Sequence, residues 1–216
     1  MSAGMLQWEL VESAPFAENT YIVYRTVGGA AVVIDPGFDP EAVAERLAVL
    51  RLAVVAILNT HGHLDHIFGN GALKECFPAA PLIIGAGDEP ALTDAERNLG
   101  AQYGFEFSSP PADRTVQEGD VLELLDEPWR VLEIPGHSPG HVVFVLDRLG
   151  WVFGGDVLFA GGIGRTDFPD GDGPALLRGI REKLYALPPA TIVFPGHGPT
   201  TTIGQERASN PFTRGA

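Results

Sequence analysis

Three imidazoles and a carboxylate fall within six positions of this chain, in the run Thr60-His61-Gly62-His63-Leu64-Asp65-His66. Protonated, those histidines would repel one another; neutral, each presents a lone pair that calls for a metal or a hydrogen-bond donor. Imidazole with carboxylate suits zinc, and also iron or manganese. The chain holds only 6 histidines in 216 residues, so their crowding into one loop marks a metal site rather than an accidental polar turn.

Further candidate ligands stand in glycine-flanked loops: His137 in Pro135-Gly136-His137-Ser138-Pro139-Gly140-His141, Asp156 after Gly154-Gly155, and His197 in Pro195-Gly196-His197-Gly198. Glycine lets a backbone turn sharply and approach a ligand closely. Each loop follows an apolar run that reads as a strand: Val131 to Ile134, Trp151 to Phe153 and Thr191 to Phe194. The first cluster likewise follows Ala53 to Leu58, placing it at the carboxyl end of a core strand, where open α/β sheets gather their ligands. Strands sharing one direction would bring all four loops to one edge.

The elements that must position these loops alternate along the chain. Strands are expected at Gln7 to Glu12, Thr20 to Arg25 and Ala31 to Asp35, the last two joined by a hairpin at Gly28-Gly29. Asp39 is a candidate N-cap, with Pro40 at the first helical position, for a helix Glu41 to Arg51 carrying Val43, Leu47 and Leu50 on one face. Further helices are expected over His66 to Phe77, Asp88 to Tyr103 and Pro174 to Leu187, with strands at Pro81 to Ile84, Val121 to Leu125, Trp129 to Ile134 and His141 to Leu146. Both halves read as several strands, a helix, then a strand ending in a histidine loop. That plan predicts two face-to-face sheets with helices outside, a four-layer αββα sandwich of class α/β, forming a single domain over residues 1–216.

Bulk properties narrow the partners. A formal charge of −14, with only 14 Lys and Arg and no run of them, argues against nucleic acid or an anionic membrane as partner. No apolar stretch is long enough to span a bilayer, and no basic-then-apolar leader is visible. One cysteine, Cys76, allows no internal disulfide and fits a reducing, cytoplasmic setting. Its apolar neighbours predict a buried structural thiol rather than a ligand or nucleophile.

The segments Thr60 to His66, Pro135 to His141, Gly154-Gly155-Asp156 and Pro195 to Gly198, with Asp35-Pro36-Gly37, make the chain resemble the metallo-β-lactamase superfamily. Within it the chain looks closest to short, single-domain bacterial glyoxalase II-like (hydroxyacylglutathione hydrolase-like) proteins, on Gly164-Arg165-Thr166-Asp167-Phe168-Pro169 and Glu206 to Phe212. The resemblance implies two divalent ions, zinc by default with iron or manganese as options. His61, His63 and His137 would hold one, Asp65, His66 and His197 the other, and Asp156 would bridge them. It implies that a shared water becomes a bridging hydroxide, oriented by Asp65, which attacks a carbonyl without a Ser or Cys nucleophile. Asp35 would steady the motif loop, the alternative being a surface cap or turn former; His141 would take a supporting place.

The implied reaction is hydrolysis of an anionic small-molecule thioester such as S-lactoylglutathione. The 19 residues after His197 are too few for the helical C-terminal domain with which longer glyoxalase II enzymes bind glutathione, so a different thioester or a lactone is nearly as good an expectation. Persulfide dioxygenases are a further alternative: they share the fold but use one iron, for which His61, His137 and Asp156 would serve. Oxygen-reducing diiron members of the superfamily usually carry a carboxylate where this chain has His63, so the resemblance favours hydrolysis over that redox chemistry; a metalloprotein that only binds is the remaining class. Arg165, in a protein poor in positive charge, is a candidate for the anionic substrate, or else for a loop-ordering pair with Asp167 or Asp172.

Overall fold

The computed structural model describes residues 4–214. Alternation along its strands decides the layers. In β2 (Glu18–Tyr24), Tyr21 and Val23 point one way while Ile22 and Tyr24 point the other. In β9 (Val142–Leu146), Val142, Phe144 and Leu146 point one way and Val143 and Val145 the other. Both faces of both strands are buried, so each sheet must be covered on two sides.

The first sheet has six strands in the order β1 (Gln7–Ser13), β2, β3 (Ala30–Ile34), β4 (Ala53–Asn59), β5 (Leu82–Gly85) and β6 (Arg114–Val116). It begins as an antiparallel meander and runs parallel from β3 onward. The second also has six, ordered β14 (Thr201–Thr202), β13 (Ile192–Pro195), β10 (Trp151–Gly155), β9, β8 (Glu127–Glu133) and β7 (Val121–Leu124). A small hairpin joins β11 (Leu158–Phe159) to β12 (Gly162–Ile163).

Three apolar clusters fill the gaps between layers. Tyr21, Val32, Leu58, Trp129, Phe144, Phe153 and Phe194 interlock between the sheets. Val43 and Leu47 of α1 (Pro40–Val49) and Leu73 of α3 (Asn70–Cys76) cover the outer face of the first sheet. Leu176 of α4 (Gly173–Gly179), Ile180, Leu184 and Ile203 of α5 (Ile203–Ser209) cover the second. The architecture is the αββα sandwich expected from the strand pattern. Among the described residues no helix is long and apolar enough to cross a membrane.

Local expectations fare unevenly. Asp39 does cap α1, its carboxylate accepting from Ala42 N at 3.0 Å behind Pro40. The helix expected over His66 to Phe77 instead starts at Leu64 and splits into α2 (Leu64–Ile67) and α3, because Gly69 N leaves the helical ladder to donate to Pro36 O at 2.8 Å. The helix expected over Asp88 to Tyr103 is absent. Two 3₁₀ turns, Glu89–Leu92 and Gly100–Tyr103, flank a segment that the buried Asn98 side chain fastens to Ala91 O and Phe107 O. The helix from Gly173 passes into a π turn at Ile180–Leu184. Cys76 is exposed rather than buried: it ends α3 at the surface, and Leu73 and Phe77 supply that stretch's core contacts.

Candidate metal centre

The strand directions bring the candidate ligands together. β8 and β10 both run antiparallel to β9, and β13 runs parallel to β10, so the loops bearing His137, Asp156 and His197 leave one edge of the second sheet. The loop after β4 leaves the first sheet beside them, Thr60 O accepting from Val142 N at 2.8 Å across the two sheets. A second tie crosses the molecule. Asn19 donates from its backbone to Gly196 O at 2.8 Å and from its side chain to Pro195 O at 2.9 Å and Gly198 O at 2.8 Å. Glu18 and His197 form an isolated antiparallel bridge there.

Two nests of donor atoms result, His61 with His63 and His137, and Asp65 with His66 and His197, the atoms of each lying within 4.8 Å of one another. Asp156 stands between them. Its Oδ2 is 3.4 Å from His137 Nε2 and 3.5 Å from His197 Nε2, and its Oδ1 is 3.5 Å from His66 Nε2. His61 Nε2, His137 Nε2 and Asp156 Oδ1 are buried with no hydrogen-bond partner. Leaving such atoms unpaired costs about 1–3 kcal/mol each. Inward-facing lone pairs and carboxylates are what a pair of divalent cations satisfies, so the donor set fits the two ions the sequence implies.

Four of the candidate ligand imidazoles, those of His61, His66, His137 and His197, are oriented from behind. His61 Nδ1 donates to Thr60 Oγ1 at 3.0 Å, and Thr60 Oγ1 donates in turn to Asp35 Oδ2 at 2.7 Å. Asp35 Oδ2 also accepts from His66 Nδ1 at 3.1 Å, and its Oδ1 from Thr60 N at 2.7 Å. One carboxylate, held with φ at +49°, therefore sets a ring in each nest. His197 Nδ1 donates to Phe16 O at 3.0 Å and His137 Nδ1 to Arg165 O at 2.8 Å. His141 Nε2 accepts from Asp156 N at 3.0 Å and its ring stacks on His61. It thus fixes the backbone that carries the central carboxylate. A Cβ at Gly155 would lie 2.2 Å from Thr60 Oγ1, which is why this tight approach needs glycine.

Burial depresses the imidazoles of His61, His63 and His141 far below the ordinary histidine range, with neighbouring imidazoles adding to it, and depresses His137 less. His66 moves the other way: burial would lower it, but Asp65, Asp156 and Asp35 outweigh burial and hold it well above. In His197 burial is likewise outweighed, by Asp65 and Asp156. Burial would raise Asp65, yet His66, His197 and His63 keep it well below the usual carboxylate range.

Sequence reasoning missed Asp88. Buried in the turn after β5, its Oδ2 accepts from Gly62 N at 2.9 Å and Ser138 Oγ at 2.6 Å, and its Oδ1 from Gly140 N at 2.6 Å. It ties the loop between His61 and His63 to the loop of His137. The available signal was its place beyond the carboxyl end of a parallel strand. Arg165 was singled out for its side chain, which pairs with Asp167 at 2.9 and 3.0 Å and lies over the Phe168 ring. Its carbonyl is what reaches the centre. The centre opens into a cleft of about 230 Å³ between Phe16, Tyr103, Phe159 and Phe168.

A two-sheet sandwich with histidine and aspartate nests at its shared edge defines a metal-dependent hydrolase. The chain belongs to the metallo-beta-lactamase superfamily, whose family model matches residues 14–197. It is 39% identical over 210 residues to hydroxyacylglutathione hydrolase GloC of Haemophilus influenzae, covering 94% of this chain and 96% of that protein. Among solved structures, the BLEG-1 B3 metallo-beta-lactamase superposes with a TM-score of 0.92 at 37% identity, over 97% of this chain and all (100%) of the other. TTHA1623 in a di-iron-bound form superposes with a TM-score of 0.83 at 39% identity, over 94% and 99% of the two chains.

Proposed function

We propose that this protein hydrolyses a thioester of the 2-hydroxyacyl-glutathione type at a two-metal centre. His61, His63 and His137 would hold one ion, Asp65, His66 and His197 the other, and Asp156 both. The observation that carries the reading is the Asp156 carboxylate standing between the two nests, with its own Oδ1 and the inward nitrogens of His61 and His137 buried without partners; the GloC relative's name points to the same substrate class. Divalent metal held by these residues would supply an acidified water and Lewis-acid polarisation of the substrate carbonyl.

The chain's own residues supply the rest. Asp35, through Thr60 and directly, keeps a proton on the Nδ1 atoms of His61 and His66, so their Nε2 lone pairs face inward. Asp65 stays ionised beside His66 and lines the cleft, where its free oxygen accepts a hydrogen bond from the attacking water and aims it. Phe16, Tyr103 and Phe168 flank the cleft and exclude solvent from the bond being broken. A thiolate leaves without first needing a proton, so this arrangement suits a thioester better than a lactone. All-nitrogen-and-oxygen donors accept zinc, iron or manganese; zinc is our default, with iron its competitor on the di-iron-bound relative. The lone cysteine keeps the cytoplasm as its proposed compartment.

The test compares one metal-replete sample on S-lactoylglutathione, a lactone and glutathione persulfide, with metal counted per chain and oxygen uptake recorded. Thioester cleavage with both nests filled is expected. Oxygen uptake without thioester cleavage, or saturation at a single ion, overturns the proposal.

A further inference from the structure

Phe168 divides the space above the centre into two lobes. The larger, about 230 Å³, touches Asp65, Asp156 and His197. The smaller, about 50 Å³, opens beside His63 and His137 alone and is backed by Gly62, Ala91 and Leu99. Leu99 lines both lobes while only 8% exposed.

The backbone beneath Leu99 is held in a conformation that leucine disfavours. Its φ is +66° and ψ 4°, the left-handed region normally left to glycine. Neighbouring bonds impose it. Asn98 Oδ1 accepts from Gly100 N at 2.9 Å, its Nδ2 donates to Ala91 O at 3.1 Å, and its carbonyl accepts from Leu64 N at 2.8 Å, immediately after the His63 loop. A strained leucine so firmly set at the mouth of a site is a candidate for function.

Volume assigns the lobes. One water occupies about 10–15 Å³ in this measure, so the small lobe holds roughly four non-hydrogen atoms. A peptide-sized thiol cannot enter it and must occupy the larger lobe. Asp88, buried in the small lobe's wall, is already committed to Gly62, Ser138 and Gly140, and the exposed Glu96, Arg97 and Asp170 stand at the lobe's rim. A group that reaches the floor therefore meets apolar surface and imidazole edges, past a rim with more acid than base that disfavours an anionic acyl group. Resting on the thioester reading above, we propose that the small lobe is the acyl subsite, that it admits short, uncharged acyl groups such as lactoyl, and that Leu99 sets its size limit.

The experiment measures kcat/KM of the metal-loaded full chain on S-acetyl-, S-lactoyl- and S-hexanoylglutathione, with Leu99→Ala and Leu99→Gly beside the natural sequence. The natural protein is expected to prefer lactoyl over hexanoyl by at least about 10-fold, the scale on which an apolar pocket discriminates by one or two methylenes. Both variants should erase that preference to a similar degree. They should differ in melting temperature, since glycine relieves the positive φ and alanine does not. A preference that stays put in both variants, or follows melting temperature instead of side-chain size, overturns the inference while leaving thioester hydrolysis standing. A natural protein that cleaves none of the thioesters overturns the functional reading instead.

Discussion

The two nests are built from similar parts and are electrically unlike. His61 and His137 are backed by neutral partners, the Thr60 hydroxyl and the Arg165 carbonyl, and burial keeps these two and His63 unprotonated. His66 and His197 share their nest with Asp65 and lie against Asp156, so carboxylates hold protons on them. The first nest therefore offers its lone pairs at neutral pH without preparation. The second must give up a proton as a cation enters. Metal binding at the second nest is accordingly expected to depend more steeply on pH.

The carboxylate between them is where that contrast breaks most completely. Asp156→Ala should abolish both ions and reduce hydrolysis to background, on the order of 10³-fold or more, whereas His197→Ala should empty mainly the carboxylate nest. Metal analysis of the two purified variants checks this, and an Asp156→Ala protein still carrying both ions defeats the bridging assignment. Asp35→Asn comes next. An amide nitrogen facing Thr60 Oγ1 and His66 Nδ1 would reverse both proton chains, leaving N–H groups where lone pairs should face inward. Affinity should fall about 10–100-fold at both nests, read by competition with a chelator.

Asp88→Asn sharpens the comparison, because Asp88 serves only one side. With one acceptor replaced by a donor, either the Gly62 or the Gly140 amide loses its partner. The three-histidine nest should then weaken by roughly 10-fold while the other is untouched. Equal weakening of both would mean that Asp88 acts on the whole edge rather than on two loops.

The metal-free protein offers a pH test. His61, His63, His137 and His141 stay neutral in the fold but take protons in the unfolded chain below about pH 6.5. The unfolded state then binds more protons, and stability falls as pH drops. His66 and His197, held protonated in the fold, work in the opposite direction near pH 7, where the unfolded chain's imidazoles are mostly neutral, and add little slope below about pH 6. Glu18, raised well above its ordinary value by burial, also opposes the four neutral histidines. The four neutral histidines outweigh these, so melting in the presence of chelator should drop by roughly 2–5 °C between pH 7 and 5.5, and a rise would contradict the burial account. The smallest effect belongs to Arg165→Lys: loss of its fork to Asp167 and its stacking on Phe168 should lower melting temperature slightly and leave KM unchanged.

Much of this was legible in the sequence for definite reasons. Each loop of candidate ligands follows an apolar, β-rich run and contains or adjoins glycine, so strand, turn and ligand all mark the same place. The alternation in β2 and β9 likewise announces sheets covered on both faces. The misses lie where tertiary bonds override local pattern. Asn98 locks residues 91–107 into turns where the residue types read as helix. Gly69 abandons its helix for the Pro36 carbonyl. Asp88 carried no mark beyond its place after a strand, since its three partners come from loops that only the finished fold brings near.

The Asn19 bonds to the His197 loop join positions about 176 residues apart, and this orders events in the growing chain. The three-histidine set is complete once His137 has emerged, but its counterpart waits for roughly sixty further residues, several seconds of synthesis at about 5–20 residues per second. Contacts of such long range also slow the final docking of the two sheets. A ribosome-bound chain halted before residue 192 would thus carry one full set of imidazoles without the strand that leads to His197, and the stretch translated next is the clasp that completes the centre.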